Sequence, residues 1–193
     1  MRFPIILLAA VPLSACISFG AEPPPALLTL ESREAPPVGE VRRAGAEAVT
    51  VLSLAAPQTL ATPRVPVQAT ANTIAYVEEA QWSEPPARLF ARLLSDTIAA
   101  RTGRVVLTSG QTVADPSLRL GGELRRFGLD ATTREAVVTF DAQLARTEAG
   151  ALEKRRFEVR VPIAGKIDAP TAGTTLNDAA NRVAAEVADW VGR

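Results

Sequence analysis

The sequence predicts an α/β fold, a two-layer sandwich in which two amphipathic helices cover one face of a mixed, largely antiparallel sheet of five or more strands. Three observations carry this. In the second half, three successive runs alternate apolar and polar residues with short connections, the pattern of an antiparallel meander with one wet face. Two other stretches repeat apolar residues at three- and four-residue steps, as helices with one buried stripe do. Shorter strand-like runs, punctuated by prolines, fill the first half. Apolar residues make up 47% of 193, enough for one domain's core and too many for a disordered chain.

The elements follow in order. Residues 27–30 read as a short strand, and 31–48, with Pro36, Pro37, Gly39 and Gly45, as a loop. Residues 49–54 are strand-like and Pro57 closes them. In 64–69, Val65, Val67 and Ala69 share a face and Pro66 points to an edge position. Residues 73–77, with Ile74 and Tyr76 on one side, pair with that run through a short turn. Residues 83–101 predict a helix: Ser83 as cap, Pro85 and Pro86 in the first turn, Leu89, Phe90, Leu93, Leu94, Thr97 and Ile98 as its apolar face, Gly103 as its stop. Residues 104–108 return as a strand. Leu118, Leu120, Gly122 and Leu124 then alternate until Phe127 breaks parity, which predicts a bulge near Arg125-Arg126. Val138, Phe140, Ala142 and Leu144 form the next strand, and Phe157, Val159, Val161 and Ile163 the last, with a turn at Glu148-Ala149-Gly150. Residues 176–191 predict the closing helix, with Thr175 and Asp178 as a capping box.

Residues 1–15 differ from everything after them. Arg2 is their one charge, and the apolar run from Ile5 to Val11 is too short to span a bilayer, which takes about 20 residues. This is the shape of an export signal, with cleavage expected after Ala15. Its exit, Leu13-Ser14-Ala15-Cys16, resembles a bacterial lipobox, in which the cysteine is lipidated and becomes the new N-terminus. Removal of 1–15 takes Arg2 and no acid, leaving 20 basic against 21 acidic groups, net −1. Ile17 rather than Asp follows the cysteine, which points to the outer membrane over the inner. Residues 16–26, with Pro23-Pro24-Pro25, form a stiffened tether. At about 3.3 Å per residue it reaches roughly 30 Å. The folded domain is then 27–193.

Several chemistries are excluded. The sequence has no histidine and one cysteine, so Ser-His-Asp and Cys-His catalysis, imidazole zinc sites and intrachain disulfides are absent. Lys plus Arg equals Asp plus Glu, 21 each, which gives no basic stripe for nucleic acid. GxxxxGK, GxGxxG and DxDxDG motifs are missing, and with them the usual phosphate, dinucleotide and calcium loops. No cofactor, metal or catalytic residue is expected. Gly121-Gly122 reads as a close backbone approach, Glu78-Glu79 as carboxylates on opposite faces, and Arg42-Arg43, Arg125-Arg126 and Lys154-Arg155-Arg156 as solvated charge beside acids. Tyr76 and Trp82 are candidate partner contacts, because Tyr and Trp anchor interfaces. Trp82 also reads as core, stapled to the first helix, and Trp190 lies on the last helix's apolar stripe.

The order of these pieces carries a family resemblance. Leu28-Thr29-Leu30 opens the domain, though without a Tyr before it. Leu60-Ala61-Thr62-Pro63-Arg64-Val65 follows. Next come Tyr76, then Trp82-Ser83-Glu84-Pro85, then the helix of Leu89-Phe90 and Leu93-Leu94. Ser117-Leu118-Arg119-Leu120 with Glu123-Leu124-Arg125-Arg126-Phe127, Arg155-Arg156-Phe157 and a terminal helix through Trp190 complete the set. Behind a lipobox, this resembles the ABC-type transport auxiliary lipoproteins, the PqiC-like family that accompanies Mce-domain lipid transporters. The resemblance implies a non-enzymatic, periplasm-facing subunit beside a permease, an ATPase and an Mce protein, with a homo-oligomer as a further expectation. The alternative is an envelope-assembly or scaffold lipoprotein with a TolB-N-like α/β domain.

Overall fold

The computed structural model describes residues 26–34, 39, 48–111, 116–147 and 150–193. In chain order they form β1 (Val49–Val51), β2 (Arg64–Thr70), β3 (Thr73–Gln81), α1 (Pro86–Thr102), β4 (Val106–Thr108), β5 (Leu118–Asp130), β6 (Glu135–Arg146), β7 (Ala151–Pro162) and α2 (Ala169–Val191). Among the described residues the seven strands make one sheet.

Strand β5 is its spine. Along one edge it pairs antiparallel with β6, which pairs antiparallel with β7. The other edge is shared. Residues Leu118 to Leu120 hold β1 in parallel, and Leu129 and Asp130 hold β2. Strand β1 in turn pairs with β4, and β2 with β3. The parity break at Phe127 is a register shift between Leu124 and Arg126, which keeps Leu124, Phe127 and Leu129 all in the core.

Both helices lie on the same sheet face. Phe90 of α1 meets Phe140 edge-on, with ring centroids 5.4 Å apart, and Phe127 at 6.4 Å. Trp190 of α2 meets Phe157 at 5.6 Å. Each such side chain, fully buried, contributes about 1.5–3 kcal/mol. The predicted apolar face of α1 is the buried one, residue for residue: Leu89, Phe90, Leu93, Leu94, Thr97 and Ile98. Gly103 closes it in the left-handed conformation, φ 63°, with its N–H donating to the Ala99 carbonyl.

Several boundaries differ from expectation, each for a physical reason. Ser83 does not cap α1; the cap residue is Pro85, with no side-chain hydrogen bond, and Pro86 opens the helix with the fixed φ that suits a first turn. Helix α2 begins seven residues before Leu176. Asp168 caps it by accepting from the Thr171 N–H at 3.0 Å, and Pro170 lies in its first turn. Thr175 is therefore interior and donates to the Thr171 carbonyl instead of capping. Strand β1 ends at Val51, not at 54. Pro66 is not on an edge strand. β2 pairs with β5 only from Val67, and the Pro66 carbonyl lies over Gly128, where a Cβ would sit 2.5 Å away. β3 runs past Val77 to Gln81, because Gln81 pairs with Arg64 across an irregularity that includes Glu79 at φ 55°. Residues 27–30 are not a strand; Leu28 makes one isolated bridge to Trp82.

Candidate functional site

For a chain expected to work by position, the point where its tether joins the body matters most. Ala15 and Cys16 lie outside the described residues. The chain is pinned from Leu28 onward. The Leu28 N–H donates to the Gln81 carbonyl at 2.7 Å, and its carbonyl accepts from Ser83 N–H at 2.8 Å. Its side chain lies against Gly173 of α2, where a Cβ would approach Leu28 Cδ2 to 2.8 Å. Residues 28–34 then run as a strap over the seam between the helices. Two helix side chains replace a neighbouring strand for it. Asn177 Oδ1 accepts from Glu31 N–H at 3.0 Å, and Asn181 Oδ1 from Arg33 N–H at 2.9 Å. Asn181 Nδ2 donates to the Glu31 carbonyl at 2.9 Å. Asn181 is buried, and these bonds satisfy its amide. Ion pairs flank the strap: Arg33 with Asp178 at 2.7 Å, and Glu34 with Arg101 at 2.5 Å. Arg101 also binds Asp189, and these carboxylates raise its pKa further. The sequence signal for the clamp is Asn at i and i+4 inside a helix that otherwise favours Ala and Val; read alone, both Asn residues fall on its polar side.

The two candidate partner contacts sit in different surroundings. Tyr76 is half-buried on β3, with the Arg64 guanidinium 3.9 Å above its ring. Trp82 is 1% exposed and packs edge-on against Phe127 at 5.4 Å. Its ring belongs to the core, and its indole N–H has no partner among the described residues.

The sheet face away from the helices is a closed lattice of charge. Asp141 at its centre accepts two bonds from Arg156, at 2.6 and 2.7 Å, with Arg125 3.7 Å away. The Arg156 hydrogen bonds hold the Asp141 carboxyl below its ordinary range. Thr139 donates to Glu158, and Arg160 joins Glu158 to Glu135. Arg126 meets Asp130 at 3.3 Å. Arg125, Arg126 and Arg156 of the basic runs are thus paired with acids, while Arg155 lies over the Phe157 ring, 4.9 Å from its centroid. Arg42-Arg43 lies outside the described residues. Gly122, at φ 142°, lets this lattice close: a Cβ there would fall 2.1 Å from the Asp141 carbonyl oxygen.

A groove of about 530 Å³ opens between α1 and the β1–β4 end of the sheet. Ala87, Ala91 and Ser95 form one wall; Val51, Leu54 and Val106 form the other. No sequence pattern announced it, because its walls come from three separate segments. Among the described residues, no three His, Cys, Asp or Glu side chains gather as metal ligands, and no helix is long and apolar enough to cross a membrane.

The sequence profile of the ABC-type transport auxiliary lipoprotein component matches residues 28–188. The chain belongs to that family. The match begins at the pinned Leu28 and ends inside α2, so it covers the strap, the sheet and both helices. Membership gives the chain an auxiliary role in ABC-type transport and an association with an envelope membrane. Its fold is similar to that of a Xanthomonas campestris protein of known crystal structure, with a TM-score of 0.72 at 17% identity over 86% of this chain and 94% of that one. A second solved structure, of an uncharacterized protein, has a TM-score of 0.67 at 14% identity, over 86% and 99% of the two chains. A PelC dodecamer from Paraburkholderia phytofirmans overlaps less, with a TM-score of 0.45 at 12% identity over 72% and 86%. No curated protein matches the chain in sequence.

Proposed function

We propose that this family member is a lipid-anchored, non-enzymatic adaptor of an Mce-type ABC transporter that moves lipid between the membranes of the envelope. The observation that carries the reading is the family match from residue 28 onward, preceded by Leu13-Ser14-Ala15-Cys16. In this reading residues 1–15 are removed and Cys16 is acylated. Several acyl chains make the anchor near permanent, since each buried methylene adds about 0.8 kcal/mol. Ile17 directs the protein to the periplasmic face of the outer membrane. Residues 16–26 span the gap, and residues 27–193 dock on the transporter.

The mechanism is geometric. A tether that entered a loose loop would let the body tumble; the strap at 28–34 instead fixes its exit point against α2 through Asn177 and Asn181. Catalysis plays no part, and what the protein contributes is where its body is held. Pull-down of the tagged protein from envelopes after mild crosslinking tests this. An Mce-domain protein with its permease and ATPase should co-purify, and their consistent absence would refute the reading.

A further inference from the structure

Among the described residues, β3, β4 and β7 each leave an edge of the sheet open, and an open edge offers its backbone to any extended chain that can pair with it. Two of the three are closed by local structure. On β4, Gln111 Oε1 accepts from the Thr108 N–H and the Gln111 N–H donates to the Thr108 carbonyl. On β3, the ladder breaks between Tyr76 and Gln81, where Glu79 sits at φ 55°, and the Gln81 carbonyl is taken by Leu28. Strand β7 has neither device. Its register with β6 is unbroken over 12 residues, about 40 Å at roughly 3.3 Å per residue.

A proline fixes which backbone groups of β7 face outward. Pro162 stands opposite Glu135 and has no N–H, and the Ile163 N–H donates to the Arg134 carbonyl at 2.9 Å. Bonded and unbonded pairs alternate along an antiparallel ladder. Glu153, Arg155, Phe157, Val159 and Val161 therefore bond β6, while Leu152, Lys154, Arg156, Glu158 and Arg160 turn their N–H and carbonyl away from it. Among the described residues nothing bonds that outer row of backbone groups.

The charge on the strand selects the occupant. β7 carries four cations and two carboxylates. Glu153 is taken by Arg146, Glu158 by Thr139 and Arg160, and Arg156 by Asp141. Lys154 and Arg155 are exposed and make no hydrogen bond or ion pair among the described residues; Arg155 lies over the Phe157 ring, and the charge of Lys154 is felt at Asp141. Leu152, 72% exposed, adds an apolar contact at the same end. An acidic strand laid along β7 meets two unpaired cations, and a basic one meets repulsion. A second copy meets repulsion too. Every antiparallel register that pairs three quarters or more of β7 with itself sets like charges opposite: Arg155 on Arg155, Arg156 on Arg156, Lys154 on Arg160, or Glu158 on Glu158. We infer that β7 is the docking edge for an extended, acidic segment of a partner protein, which adds as the next strand of the sheet. This goes beyond the transporter reading and stands without it.

The test uses the full chain isolated from its envelope in detergent, with residue-resolved amide exchange as the readout. The probes are two twelve-residue peptides, one alternating Val and Glu, the other Val and Lys. Saturation with the Val/Glu peptide should slow exchange about tenfold or more at Leu152, Lys154, Arg156, Glu158 and Arg160. Their odd-numbered neighbours, already bonded to β6, should not change. Lys154→Glu with Arg155→Glu should weaken binding roughly tenfold. Lys154→Pro, which removes an outward N–H and leaves the β6 ladder intact, should weaken it as well. Lys166→Glu, at a cation away from β7, should leave binding unchanged. Absence of protection, equal protection by the Val/Lys peptide, protection of odd and even amides alike, or indifference to the β7 variants would overturn the inference. Slow exchange of the outward amides in the protein alone, lost on dilution, would assign the edge to a second copy and overturn it equally.

Discussion

Two aspartates carry opposite stability effects. Asp141 is held ionised by Arg156, so its folded-state pKa lies below that of an unfolded aspartate, about 3.9. Its pair therefore stabilises the fold fully above that value, and the contribution is lost as pH falls through the folded-state pKa. Asp96 has its carboxyl pushed up by burial. Its ionisation opposes folding, and the cost appears as pH rises through the carboxylate range. Urea unfolding should separate the two. Asp141→Asn is expected to lose about 1 kcal/mol at pH 7, discounted because Arg156 stands largely in water, and to lose progressively less as pH falls through the folded-state pKa of Asp141. Asp96→Asn is expected to match or exceed the parent at pH 7. A stable Asp141→Asn at neutral pH would show that the lattice on the open face is ornamental.

At the scale of elements, what was legible followed from periodicity and what was not followed from side chains meeting across the fold. The meander, its bulge at Phe127 and the buried face of α1 each leave a local trace in alternation or in three- and four-residue steps. The start of α2 did not, because Gly173, Thr174 and Thr175 look like a poor helix until Asp168 and Pro170 are seen to open it. The strap was read as part strand and part loop for a similar reason: its partners are Asn177 and Asn181, some 150 residues away in sequence. It is a testable element. Asn181→Ala removes an acceptor for Arg33 and a donor for Glu31 and should cost about 1–2 kcal/mol. Hydrogen exchange should then show the amides of residues 28–34 exchanging markedly faster while those of β6 stay protected. Uniform loosening of the whole domain would mean that the strap is not a separable unit.

At the scale of the whole molecule, the described residues form one sheet, one helical layer, an outer face laced with ion pairs and a groove at one end of the sheet. The fold class was readable because both layers are patterned. The candidate site was only partly readable. Tyr76 and Trp82 were picked out by residue type; Trp82 lies in the core, the other of its two sequence readings, and Tyr76 is half-buried under Arg64. The tether's attachment and the groove are assembled from distant segments and leave no motif. The functional account rests on a covalent feature that precedes the folded body. Its most direct test is the intact mass of the protein isolated from its native envelope. The account predicts a chain that begins at Cys16 and carries the added mass of a diacylglyceryl group and an N-acyl chain. A chain that retains residues 1–15, or begins at Cys16 with a bare thiol, would contradict it.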